Sequence, residues 1–334
     1  MNISKNSLLV LAAAALAPAL SAQCWHAAAD FSDLNNPNGE WTYGWSSAQT
    51  TPLAPPTSFF AYDQRRTTNG GLEWWFEPTR RPELPAVIGN VLPMTIGPIS
   101  QSLSIPARGL IIHPGPDNEH SIVRWTAPRT GSFSVSAAFT PIDGDYESVD
   151  VHVLQNGVGV WTDEPAGGVA SSYTATLVLS AGDQIDFSVG IGSNDFFNDS
   201  VRLDVHVDEQ ISGPGWECLG NDLAGSLGDP YLVGSGSLTG GSPVSLDLSL
   251  AAPNQAAVLI VGGTRIDVPF LGGVFVPAPT LAVGIVTDAA GDYGLPFVWP
   301  AGVPSGLSVY YQAWIPDPAA VLGVAASNAV ASRT

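Results

Sequence analysis

At 334 residues the chain is long enough for two domains with full cores, and 45% of its residues are apolar. The 11 Lys and Arg against 30 Asp and Glu give a formal charge of −19, so phosphate backbones and anionic lipid surfaces are poor partners. Only 12% of residues are charged while 36 are Gly and 28 are Pro, which excludes charge-driven disorder and points to a turn-rich, all-β protein.

Residues 1–22 have the form of a secretory signal: Lys5, the only lysine, precedes the apolar run 8–20, and Ala19, Ser21 and Ala22 offer a cleavage site. The run is too short for a stable membrane anchor. Gln23 stands before Cys24 where a lipoprotein box needs Gly or Ala, so lipidation is not expected. The mature chain is therefore expected to be secreted: extracellular, periplasmic or at the cell surface. There Cys24 and Cys218, the two cysteines, are expected to form a disulfide that closes the first domain.

"NPNGEWTYGW" (36–45) begins with turn chemistry and continues as a strand with Trp41, Tyr43 and Trp45 on one face. Three rings on one face could form a binding platform; the plainer reading is a core face, with Gly44 opposite marking a close backbone approach. "TSFFAY" and "LEWWF" read as further strands. In "GLEWWFE" Glu73, Trp75 and Glu77 share one face, and Trp74 and Phe76 the other. Sugar rings stack on indole and carboxylates accept from sugar hydroxyls, so Glu73, Trp74, Trp75 and Glu77 are candidate ligand residues. Glu73 and Glu77 lie about 13 Å apart along a strand, too far for the roughly 5–10 Å of a glycosidase pair. The plainer alternative puts one Trp in the core and the other under the Pro-rich stretch that follows. That stretch, "EPTRRPELPAVIGNVLPMTIGPIS", is expected to cross the sandwich mouth irregularly rather than add a central strand.

From residue 120 the period-2 alternation is plain. Phe133, Val135, Ala137 and Phe139 share a face, as do Val149, Val151 and Val153. Ile185, Phe187, Val189 and Ile191 repeat the pattern, followed by Val201, Leu203, Val205 and Val207. Asp150 and His152, and Arg202, Asp204, His206 and Asp208, alternate away from the apolar face and are expected to form a solvated outer surface. "PIDGDYESVD" and "GSNDFFNDS" offer Asp143 and Asp145, then Asn194, Asp195, Asn198 and Asp199, as oxygen ligands for a structural calcium ion; ordinary turn formation is the alternative. His113 and His120 flank an acidic stretch without the spacing that pre-sets a transition-metal site.

The expected architecture is a jelly-roll-like antiparallel β-sandwich over 23–210, a linker over 211–222 and a second, smaller β-sandwich over 223–334. "NPNGEWTYGW", "HPGPDNEHSIVRWTAPRTGSFSVSAAF" and "LSAGDQIDFSVGIG" resemble an exported β-sandwich module that recurs in large secreted proteins of aquatic bacteria. The part from "LGDPYLVGSG" to "YYQAWIPDP" resembles a terminal β module of the same kinds of proteins, although no sorting tail is recognisable. The resemblance implies a carbohydrate-binding-like jelly roll and says little about activity.

Nucleophile elbow, zinc-protease, P-loop and C-x-x-C motifs are absent, so no catalytic residue is nominated. The expected function is non-catalytic: binding or structural, with a glycan or another extracellular polymer as partner and neither nucleic acid nor membrane insertion. A secreted glycosidase-like hydrolase with its site at the sandwich mouth, or a cell-surface assembly protein, are the alternatives.

Overall fold

The computed structural model describes residues 24–334 apart from 52, 69, 80–82, 93, 100–102, 145–147 and 211–212. The expected signal segment and Asp145 lie outside the described residues. Among the described residues every regular element is a β-strand. The protein is all-β, built as two antiparallel sandwiches.

In the first sandwich one sheet runs Ser171–Leu179, Gly131–Pro141, Val201–Gln210, Leu110–His113, Ala86–Asn90, Leu72–Phe76 and Gln64–Thr67, with Cys24–His26 paired onto Val201–Gln210. The facing sheet runs Val158–Asp163, Asp150–Gln155, Gln184–Gly190, Ser121–Thr126, Trp41–Trp45 and Phe60–Ala61. The alternating apolar residues of both sheets meet as expected. Phe133, Val135, Phe139, Val151, Val153, Phe187, Val189 and Val201 to Val207 at every second position form one core, with Trp41, Tyr43 and Trp125 wholly buried among them. The rings of "NPNGEWTYGW" thus hold the core rather than a ligand. Asn36 secures the turn: its amide donates to the Tyr43 and Tyr62 carbonyls at 2.7 and 2.9 Å and accepts from Tyr43 N at 2.8 Å. Gly44 is required by packing, because a Cβ there would lie 2.5 Å from the Phe60 carbonyl oxygen.

The Pro-rich stretch departs from expectation. Ala86–Asn90 is an interior strand, paired on one side with Leu72–Phe76 and on the other with Leu110–His113. Pro85 precedes the strand and Pro93 follows it, so neither removes a ladder donor. Leu84 and Ile96 of the stretch pack over the outer face of this sheet. Ile96 and Ile105 bridge each other there and join Leu72, Ile88 and Ile111 in a second, smaller core with Trp74 and Phe76 packed against it.

The second sandwich packs the sheet Gly215–Cys218, Val330–Arg333, Ser308–Pro316, Ala256–Gly262 and Leu281–Val286 against the sheet Tyr231–Gly236, Pro243–Ser249 and Tyr293–Val298. Gly215–Cys218 lies inside the segment expected to be a linker. It is an edge strand instead, because its partner Val330–Arg333 comes from the far end of the chain. Trp216 of this strand is wholly buried and packs so closely on Gly234 that a Cβ there would lie 2.1 Å from the indole.

The expected disulfide between Cys24 and Cys218 is present, with a Cα–Cα distance of 6.0 Å. Its role differs from expectation. Cys24 belongs to the first sandwich and Cys218 to the second, so the bond staples the two together rather than closing one. Beside it Tyr231 Oη donates to the Cys24 carbonyl.

Candidate functional site

The four candidate ligand residues of "GLEWWFE" are separated by the pleat of their strand. Trp75 points into the main core, is 5% exposed and donates its indole N–H to the Ser32 carbonyl at 2.7 Å, which leaves it no surface for a ligand. Glu73 is buried and accepts from Thr67 Oγ1 at 2.6 Å. Glu77 holds the turn that follows, accepting from Thr79 N at 2.8 Å. Trp74 alone of the four reaches a cavity. That cavity has a volume of about 260 Å³ and an apolar wall of Leu84, Ile88 and Ile105. Its polar side is formed by Glu83, His113, Asp143, Asn198 and Ser200.

Trp74 is half-buried, and its indole nitrogen is enclosed without a hydrogen-bond partner among the described residues. A buried N–H left unmatched costs about 1–3 kcal/mol. Arg66, the cross-strand neighbour of Trp74, sits 5.3 Å from the indole centroid and ion-pairs with Glu83. Burial lowers the pKa of His113 and keeps its ring neutral; Nδ1–H donates to the Pro114 carbonyl at 2.8 Å, which makes Nε2 an acceptor. Sequence reasoning chose Trp74 but missed His113 and Ser200 as its neighbours. The missing information was the pairing of Leu110–His113 beside Ala86–Asn90.

The two loops nominated for calcium do meet at this end of the sandwich. Ser200 N donates to Asp143 Oδ2 at 2.7 Å, and Ile142 N to the Ser200 carbonyl at 3.0 Å. Asp195 accepts from Phe197 N at 3.0 Å, Asn194 bonds to Ser148, and Asp199 is wholly buried. Among the described residues none of Asp143, Asp195 and Asp199 belongs to a group of three carboxylate, His or Cys side chains at ligand spacing. Asp143 and Asp195 hold turns of these loops through the backbone bonds they accept.

The polar faces expected to be solvated are covered. His152 and Asp150 are 0% and 1% exposed, and the outer face of their sheet is covered by Phe59, 3.7 Å over the Arg124 guanidinium, and by Pro55 against Gly159. His152 Nε2 meets Asp150 Oδ2 at 2.5 Å, while His120 Nδ1 meets Ser188 Oγ at 2.9 Å and its Nε2 lies 3.8 Å from Asp150 Oδ2. Ser, His and Asp are thus gathered from distant positions, but all are at most 1% exposed and no substrate reaches Ser188. This is a structural network.

Burial pushes the His120 ring down to about 4, against the pull of Asp150. The folded value lies below the unfolded one of about 6.5, so folding favours the neutral ring. Its contribution is complete above pH 6.5, is lost as pH falls toward 4, and is worth about 3 kcal/mol. Asp150 is pulled below its ordinary value because bonding to His152 and the charge of His120 outweigh its burial, so its share is lost at still lower pH. Urea denaturation should therefore show stability declining between pH 7.5 and 4, with His120 supplying about 3 kcal/mol of the decline and the buried His26 a further share. His120→Gln should flatten that decline, and an equally steep profile in the variant would assign it elsewhere.

Along Val201–Gln210 the face carrying Arg202, Asp204, His206 and Asp208 turns toward the second sandwich and is half-buried rather than solvated. Arg202 pairs with Asp204 at 2.9 Å, and His206 Nε2 lies 3.6 Å from Asp229 Oδ2 across the junction. Burial disfavours charge on His206, but Asp222 and Asp229 outweigh it and lift the ring to about 10; burial drives the neighbouring His26 down to about 3.

No family model matches the chain, and no curated protein matches it. Solved structures with similarity include a CBM51 module of a Clostridium perfringens GH95 protein in complex with methyl-galactose, at 12% identity and TM-score 0.26, covering 45% of this chain and 94% of the module. The tandem CBM51 modules of a Streptococcus pneumoniae family 98 glycoside hydrolase match at 9% identity and TM-score 0.27, over 82% of this chain and 97% of theirs. The CBM22 tandem of Paenibacillus barcinonensis Xyn10C matches at 10% identity and TM-score 0.25, over 85% and 99%. Likeness at this level carries no argument about a ligand.

Proposed function

We propose that this chain is a secreted, non-catalytic binding protein whose Trp74 cavity takes a neutral sugar residue of an extracellular glycan. The observation that carries the reading is the half-buried indole of Trp74 among the residues lining a cavity that is apolar on one side and polar on the other. A sugar ring has the matching chemistry: C–H surface for Leu84, Ile88 and the indole, and hydroxyls for His113, Asp143 and Ser200. The cavity suits one ring rather than a long segment, and the strongly acidic chain disfavours anionic polymers. The apolar signal-like segment and the disulfide both accord with an oxidising, non-cytoplasmic setting.

Titration calorimetry against a broad panel of neutral glycans tests this. At least one should bind, and Trp74→Ala should weaken it tenfold or more while costing much less stability than truncation of a fully buried tryptophan. Binding by no member of the panel, or equal binding by the variant, would remove the proposal.

A further inference from the structure

We infer that His26, His206 and Asp229 form a binding site for a divalent transition metal of the zinc type, which ties the two sandwiches together beside the disulfide. His26 and His206 are register partners on adjacent strands, and their rings stack with centroids 4.2 Å apart. Asp229 comes from the second sandwich, just ahead of Tyr231–Gly236. One ligand atom from each residue lies within 4.8 Å of the other two, and His206 Nε2 to Asp229 Oδ2 is 3.6 Å. Ligands on a tetrahedral zinc with bonds of about 2.0–2.1 Å lie about 3.3 Å apart, so modest side-chain rotation closes the set.

A second, independent observation points the same way. His26 is 2% exposed, and among the described residues neither of its ring nitrogens has a hydrogen-bond partner. A neutral imidazole carries one donor and one acceptor, and buried groups of this kind are normally matched. A metal ion satisfies the acceptor nitrogen directly. The surroundings favour a cation: Asp204, Asp208 and Asp222 stand with Asp229 against the single guanidinium of Arg202. A polar cleft of about 300 Å³ lined by His206, Asp208 and Asp222 provides the route in. The imidazole and carboxylate set suits zinc, copper or nickel, with the fourth position left to Asp222 or a water from the cleft. Cys24 and Cys218 lie close by, but their sulfurs are joined to each other and are not ligands.

Chelator-stripped protein titrated with zinc chloride should bind one equivalent per chain and melt at a higher temperature. Asp229→Asn and His206→Gln should each weaken binding at least a hundredfold. The chain has five histidines, so cobalt(II) added to the unaltered protein should shift and broaden the ring protons of His26 and His206 while sparing His120 and His152. That measurement decides the matter even if a variant fails to fold. No stoichiometric binding, undiminished binding in both variants, or cobalt effects centred on His120 and His152 would overturn the inference.

Discussion

Replacing Cys24 and Cys218 together with serine is expected to lower the unfolding free energy by about 5 kcal/mol. The bond spans 194 residues, and a cross-link of that length restricts the unfolded chain strongly. Its native-state role adds to this. Cys24–His26 is only three residues long and pairs with Val201–Gln210 through its own register alone, so without the bond it frays from the sheet. Trp25 would loosen with it, and so would its indole bond to Glu40 Oε2 at 3.0 Å. Guanidinium denaturation of the oxidised and double-serine proteins checks the magnitude. A change under about 1 kcal/mol would show that contacts at the junction suffice without the bond.

The second large effect concerns Trp41. Truncation to alanine should cost about 5 kcal/mol or slightly more. Removing a fully buried tryptophan accounts for about 3–5 kcal/mol through lost transfer and the cavity left behind. The remainder comes from Asp30, whose carboxylate accepts the Trp41 indole N–H at 3.0 Å and whose burial already raises its pKa. Trp41→Phe separates the two contributions, since it keeps most of the apolar area and deletes only the donor. The phenylalanine variant should lose about 1.5–3 kcal/mol in the same denaturation assay. Equal losses in the two variants would assign the whole effect to the hydrogen bond. Trp41 and Trp74 thus make opposite predictions: one carries stability and little binding, the other binding and little stability.

The inner faces of the sandwich were legible in the sequence because period 2 is a local property. Phe133 to Phe139, Val149 to Val153 and Val201 to Val207 announce the side that meets the core, and they meet it. What covers the other side is not local. Asp150 and His152 read as solvent-facing, yet they are buried on a sheet face that Pro55 and Phe59 cover; the polar face from Arg202 to Asp208 reads the same way and meets the second sandwich. Alternation tells which residues share a face and nothing about a segment that folds onto it from elsewhere. The strand Ala86–Asn90 was hidden for a related reason. Prolines counted along the stretch argued against a strand, whereas what matters is whether one falls on a residue that must donate to the ladder. Gly215–Cys218 was hidden because its partner is more than a hundred residues away. At the candidate site the indole was visible in "GLEWWFE", but its polar neighbours were brought there by sheet order.

The staple between residues 24 and 218 also governs how the chain responds to proteases. Beyond Lys5 arginine is the only residue after which trypsin-like enzymes cut, and eight arginines, from Arg65 to Arg202, lie inside the span closed by the bond. A single cut at any of them opens the backbone without releasing a piece, because both cut ends remain covalently joined through the sulfurs. Arg265 and Arg333 are the only arginines outside that span, so the second sandwich offers such an enzyme very few places to start. Outside the cell, a nicked first sandwich would stay attached to an intact second one until a reductant reached the bond.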